Sequence, residues 1–165
     1  MNNLESIQQC SLDIKSILIA LSIIVSTGIS IFFYIKNRAF GFENSLNERL
    51  FKIQDISFNN PFLENKQFIN GWIEFAKKYR NNTKINFQDD LVNKNLQYEQ
   101  YCEMIFNLIS DTYSFNRTEK YLLQNIDFKE WSRTHKDWWQ NPLNEHSNHD
   151  TYHKNLTKII DDWIK

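Results

Sequence analysis

Three histidines near the carboxy terminus, His146, His149 and His153, are spaced by three and four residues, with Glu145 and Asp150 beside them. On a helix His149 and His153 share a face and could grip one metal ion, with His146 a turn earlier. The spacing lacks the His-Glu-x-x-His arrangement that supplies a general base, so it does not point to a zinc hydrolase. The plainer reading is a polar loop that runs into a helix.

A second cluster is basic: Lys77, Lys78, Arg80 and Lys84. It could meet a phosphate-bearing ligand or anionic lipid headgroups. It also spans a helix end and a turn, where cations complement the helix dipole without any ligand. Carboxylate pairs occur at Asp89-Asp90, Asp161-Asp162 and Glu99/Glu103. Asp89 and Asp90 fall where acids favour a helix amino terminus, and no sequence neighbour tunes the pairs for acid–base work. No glycine-rich phosphate loop, nucleophile elbow or Ser/His/Asp order is present. No cofactor is implied, and catalysis finds no support in the motifs.

The elements that carry these residues read as helices. Three glycines, two prolines and only two valines leave few turn and strand formers. Apolar spacings of three and four predict a helix from Glu43 that stops at Asn59-Asn60-Pro61; it either continues the spanning helix or is parted from it at Gly41. A second helix is predicted from Asn65 to Tyr79, and a long central one from Asp89 to Tyr113. A short helix follows over Thr118 to Asn125. Asp127-x-x-Glu130 has the form of a capping pair and opens a helix ended by Asn141-Pro142. The last helix carries Leu156, Ile159, Ile160 and Trp163. Trp131 and Trp138 are seven residues apart and so share a face, which favours core packing over a ligand pocket. Cys102, among Tyr101, Met104, Ile105 and Phe106, reads as a small buried residue.

Ahead of these helices lies the run Ile17 to Ile35, nineteen residues without a charge, bracketed by Lys15 and Lys36. As a helix it covers about 28 Å, close to the roughly 30 Å of a bilayer's hydrocarbon. No small-x-small cleavage site follows, so the run reads as an uncleaved anchor. Lys36, Arg38, Arg49 and Lys52 outnumber the lone upstream Lys15. The positive-inside rule then puts the amino terminus outside and the rest in the cytoplasm. The expected layout is a tail over 1–15, a transmembrane helix over 16–36, a juxtamembrane step over 37–42 and a soluble helical domain over 43–165. The fold class is all-α: one anchor followed by a bundle of about five helices. Ser22, Ser26 and Ser30 recur every four residues in the anchor, a small-residue face that could bring two anchors together.

From Lys36 to Lys165, 18 basic and 18 acidic residues cancel. Without a basic excess, general nucleic-acid binding is disfavoured. Cys10 and Cys102 would lie on opposite sides of the membrane and cannot pair within the chain.

One anchor helix, a helix ended at Asn60-Pro61-x-Leu63, an aromatic helix with Tyr98, Tyr101 and Phe106, and a Trp131…Trp139…Asn141-Pro142 segment follow one another. In that order the chain resembles a group of bacterial membrane proteins in which a single span precedes a small cytoplasmic helical domain of unknown function. The resemblance implies architecture and a bacterial inner-membrane location, and no active-site residue. Three functional expectations follow. One is a non-catalytic, membrane-anchored interaction or regulatory module that binds itself or another protein. Another is a ligand-sensing membrane effector, with Lys77, Lys78 and Arg80 as sensor, that oligomerises through the serine face. The last is a metal-dependent enzyme built on the histidines.

Overall fold

The structure is a computed structural model that describes the backbone of residues 2–80, 86–124, 126–144 and 148–165, and side chains from residue 14 onward within those ranges, His149 excepted. Among the described residues every regular element is helical. The chain divides into two compact units, Met1–Ser45 and Leu46–Lys165.

The first unit is helix throughout its described residues, the opening part of α1 (Asn2–Asn59). Its apolar stretch is long and hydrophobic enough to cross a membrane, and none of the window is buried. Gly41 does not interrupt α1, so of the two courses open at this glycine the helix takes the continuous one. A lone glycine costs about 1 kcal/mol against alanine in a helix interior, too little to halt a helix that is propagating on both sides of it.

In the second unit the last turns of α1 bury Leu46 and Ile53. Arg49 forms an ion pair with Asp111 of α4 (Asp90–Asn116). Pro61 opens a 3-10 turn, Pro61–Glu64, that ends the helix. Asn65 then caps α2 (Lys66–Ile69), its side chain accepting from the amides of Gln67 and Phe68. The helix expected over 65–79 is broken at Asn70-Gly71, and α3 (Trp72–Tyr79) starts afresh. A side chain at Gly71 would bring a Cβ within 3.1 Å of the Phe68 carbonyl, so this close turn suits glycine.

The central helix is α4. Asp89 caps it by accepting from the amides of Leu91 and Val92. Tyr98, Tyr101, Cys102, Ile105, Phe106 and Ile109 are at most 1% exposed, as a helix surrounded on most sides must be. It ends at Arg117, which takes the left-handed conformation (φ 55°). Then come α5 (Glu119–Leu122), α6 (Phe128–Thr134), α7 (Lys136–Gln140) and α8 (Lys154–Trp163). Asp127 accepts from the Glu130 amide at 2.9 Å, the cap that its spacing foretold. The stretch from Asp127 to Gln140 is two helices and not one, because the backbone departs from helical geometry at His135.

The tryptophans close the core. Phe106 stacks on Trp138 and Trp139, with centroids 5.2 and 4.8 Å away. Trp72, Trp138, Trp139 and Trp163 are all buried, and Trp131 is half-buried. Three of the indole N–H groups find acceptors: Trp72 on the Asn141 carbonyl, Trp139 on Asp161, Trp163 on Glu119.

Candidate functional site

Two features of the second unit stand out: a buried polar cluster and an apolar groove. The cluster joins the turn after α1, the middle of α4 and the junction between α6 and α7. His135 is fully buried. Its Nδ1 lies 3.0 Å from the Tyr98 hydroxyl, and its Nε2 is 3.4 Å from Glu64 Oε1. Tyr101 donates its hydroxyl to the same carboxylate oxygen at 2.5 Å. With Nε2 turned towards a carboxylate, the fitting tautomer carries its proton on Nε2 and accepts from Tyr98 at Nδ1. At 3.4 Å the Nε2 contact is electrostatic more than directional, and Nε2 has no hydrogen-bond partner of good geometry among the described residues.

Burial pushes the Glu64 carboxyl up, but His135 and Tyr101 outweigh it and hold it below the usual carboxylate range. Both tyrosines are pushed far above their ordinary range, chiefly by burial. Burial likewise pushes the Cys102 thiol up, which keeps it an unreactive packing residue. Within the cluster only Glu64 reaches solvent, its side chain 37% exposed. A general base needs a substrate within hydrogen-bond reach, and His135 is sealed away. The arrangement is suited to fastening three segments together.

Sequence reasoning missed this cluster. Tyr101 and Glu64 are 37 residues apart, as are Tyr98 and His135, so no local spacing announces them. The one local signal was the pair Tyr98 and Tyr101, three apart on the buried face of α4.

The groove lies between α3 and the first turns of α4. It encloses about 380 Å³, within the range of sites that hold small ligands or peptide side chains. Phe68, Phe75, Tyr79, Leu91 and Val92 form its apolar lining, with Glu74, Lys78 and Asp89 among its polar residues. Leu91 is 60% exposed, and the adjacent Phe87 is 66% exposed.

Compared with protein-family models, curated proteins and solved structures, the chain has no match in any of the three. The site must be read from its own residues.

The groove takes in one member of the basic cluster. Lys78 lines it, its Nζ 5.1 Å from the centre of the Tyr79 ring. Lys77 stands 3.4 Å from Glu74 one turn back. Arg80 turns away and donates its Nε to the Pro142 carbonyl at 3.2 Å. Lys84 lies outside the described residues.

Of the histidines, His146 lies outside the described residues, as does the side chain of His149. His153 caps α8, its Nδ1 accepting from the Asn155 amide at 3.2 Å, and packs against the Tyr113 ring. Among the described residues no group of three His, Cys, Asp or Glu side chains is placed to hold a metal. In the first unit the Ser22, Ser26 and Ser30 side chains are exposed. Their hydroxyls donate to carbonyls of the preceding turn, those of Ile19, Ile23 and Ser26.

One carboxylate pair is perturbed after all. Glu99 is pushed up to about 7, by burial first and by the charge of Glu103 second. The shift comes from burial of Glu99 itself and from the exposed Glu103, not from a buried partner.

Proposed function

We propose that this protein is a membrane-anchored, non-catalytic interaction module whose second unit takes an apolar segment of a protein partner into the groove between α3 and α4. The span within α1 is the anchor, with the amino terminus outside and the helical domain in the cytoplasm of a bacterium. The observation that carries the reading is the groove itself. Its lining is mostly apolar, Leu91 on its wall is 60% exposed, and an exposed apolar patch in a concave slot is a mark of a docking site. The mixed polar residues, two acids and one lysine, favour neither a strong anion nor a strong cation. That mixture suits an uncharged apolar segment, with a polar end group fixing its direction.

The sensor reading keeps one observation in its favour: Lys78 stands beside the groove, where it could meet a ligand's acidic group. Both readings use the same slot and differ in what fills it.

The test is photo-crosslinking from position 91 of the full-length chain in cells. A discrete adduct that Phe75→Ala abolishes and Lys78→Ala leaves intact is the expected result. An adduct pattern equal to that from exposed Lys158, remote from the groove, contradicts the reading. An adduct lost with Lys78→Ala shifts it to an anionic ligand.

A further inference from the structure

We infer that Asn95 sets the specificity of the groove between α3 and α4, and that the partner's segment meets it with a tryptophan whose indole N–H donates to Asn95 Oδ1. This pairing rests on the groove being the docking site, and it adds the chemistry of what docks there.

Asn95 interrupts an otherwise apolar and aromatic stripe of α4. Val92, Tyr98, Cys102 and Ile105 are buried along the same stripe, at spacings of three and four. Asparagine is a poor helix former, and burying its amide is costly unless both ends find partners. Only one end does. Asn95 is 4% exposed, and its Nδ2 donates to the Leu91 carbonyl, one turn back, at 2.8 Å. A carbonyl can only accept, so this bond fixes which way round the amide lies. Oδ1 has no hydrogen-bond partner among the described residues. Nor is it sealed in, since the sealed side-chain atoms without a partner there are His135 Nε2 and Trp138 Nε1. Asn95 lines the groove, which makes Oδ1 an open acceptor on an apolar wall.

The other lining residues select what brings the donor. Phe68, Phe75 and Tyr79 offer ring surface, with the Phe75 and Tyr79 centroids 4.7 Å apart. A flat ring packs on such surfaces edge-to-face or offset. Glu74 and Asp89 against Lys78 tilt the charge of the groove towards accepting hydrogen bonds. Indole is the side-chain ring that complements this: large, neutral, and a donor without an acceptor. A phenyl ring leaves Oδ1 unpaired. A hydroxyl reaches it but carries lone pairs into the slot, where the lining cation, Lys78, stands over the Tyr79 ring. A basic side chain also donates without accepting, but Lys78 on the same wall opposes a second cation.

The experiment titrates the full-length chain in nanodiscs with two ring probes, indole and 1-benzothiophene, in which sulfur replaces the N–H. Valine methyl resonances are the readout. The chain has two valines: Val92 on the groove wall, and Val25 in the apolar stretch of α1, where it reports rings dissolved in lipid. Indole should shift Val92 saturably and bind roughly tenfold tighter than 1-benzothiophene, although the sulfur ring is the more apolar. Asn95→Leu should abolish that preference while 1-benzothiophene still binds. Equal affinities in wild type, or a preference that survives Asn95→Leu, overturn the pairing; if Phe75→Ala then weakens both probes alike, the groove itself stands. Absence of any Val92 shift also overturns the pairing, and crosslinking from position 91 decides the groove separately. The wild-type comparison needs no variant, so it decides even where Asn95→Leu does not fold.

Discussion

Glu99 and Glu64 are carboxylates of one fold with opposite responses to pH. Glu64 is held ionised by His135 and Tyr101, so its contribution is present above the unfolded value near 4.5 and lost as pH falls through its lower folded value. Glu99 favours its protonated form in the folded chain. Below 4.5 it is neutral in both states; as pH rises towards 7 the unfolded chain gains charge first and stability is lost. Glu99→Gln therefore should match wild type near pH 4.5 and exceed it at pH 8. After discounting for residual solvent, the gain is about 1–2 kcal/mol. Thermal midpoints of the detergent-solubilised chain at the two pH values measure this, and an identical difference at both contradicts the assignment. None of this was legible beforehand. Glu99 and Glu103 are visible as a pair, but whether a carboxyl is buried depends on what covers α4.

At the scale of elements, local chemistry was readable and packing was not. The cap at Asp127 was foretold by its spacing, whereas Asn65 and Asp89, read only as the start of a helix and as acids suited to a helix amino terminus, prove to cap by accepting amides two and three residues on. Asp89→Ala should lower stability by about 1 kcal/mol, whereas Asp89→Ser should keep most of it, judged by thermal unfolding. An equal loss in both variants would place the role of Asp89 elsewhere, in the groove that it also lines. The helix ends that were misjudged have physical reasons. The helix expected over 65–79 is broken at Gly71, which follows Asn70 and lies close against the Phe68 carbonyl, whereas Gly41 alone leaves α1 continuous, one of the two courses open there. His135 divides its helix where the imidazole turns inward to Tyr98 and Glu64. The groove depends on how α3 meets α4, and apolar periodicity states which face a helix buries but not the gap it leaves.

For the molecule as a whole, the all-helical class and the long apolar amino-terminal helix were both legible in the sequence. They rest on the two strongest signals a chain carries, apolar periodicity and apolar length. The balanced charge from position 36 onward fits a module that docks through shape and apolar area, since no broad field attracts a polyanion. An anchor of the kind proposed would favour docking in the groove, because confinement to one plane concentrates weak contacts. Alkaline carbonate extraction of membranes that hold the full-length protein tests the anchor most directly. The chain should remain wholly in the pellet, like any polypeptide with a helix through the lipid. Its recovery in the supernatant would contradict the central claim.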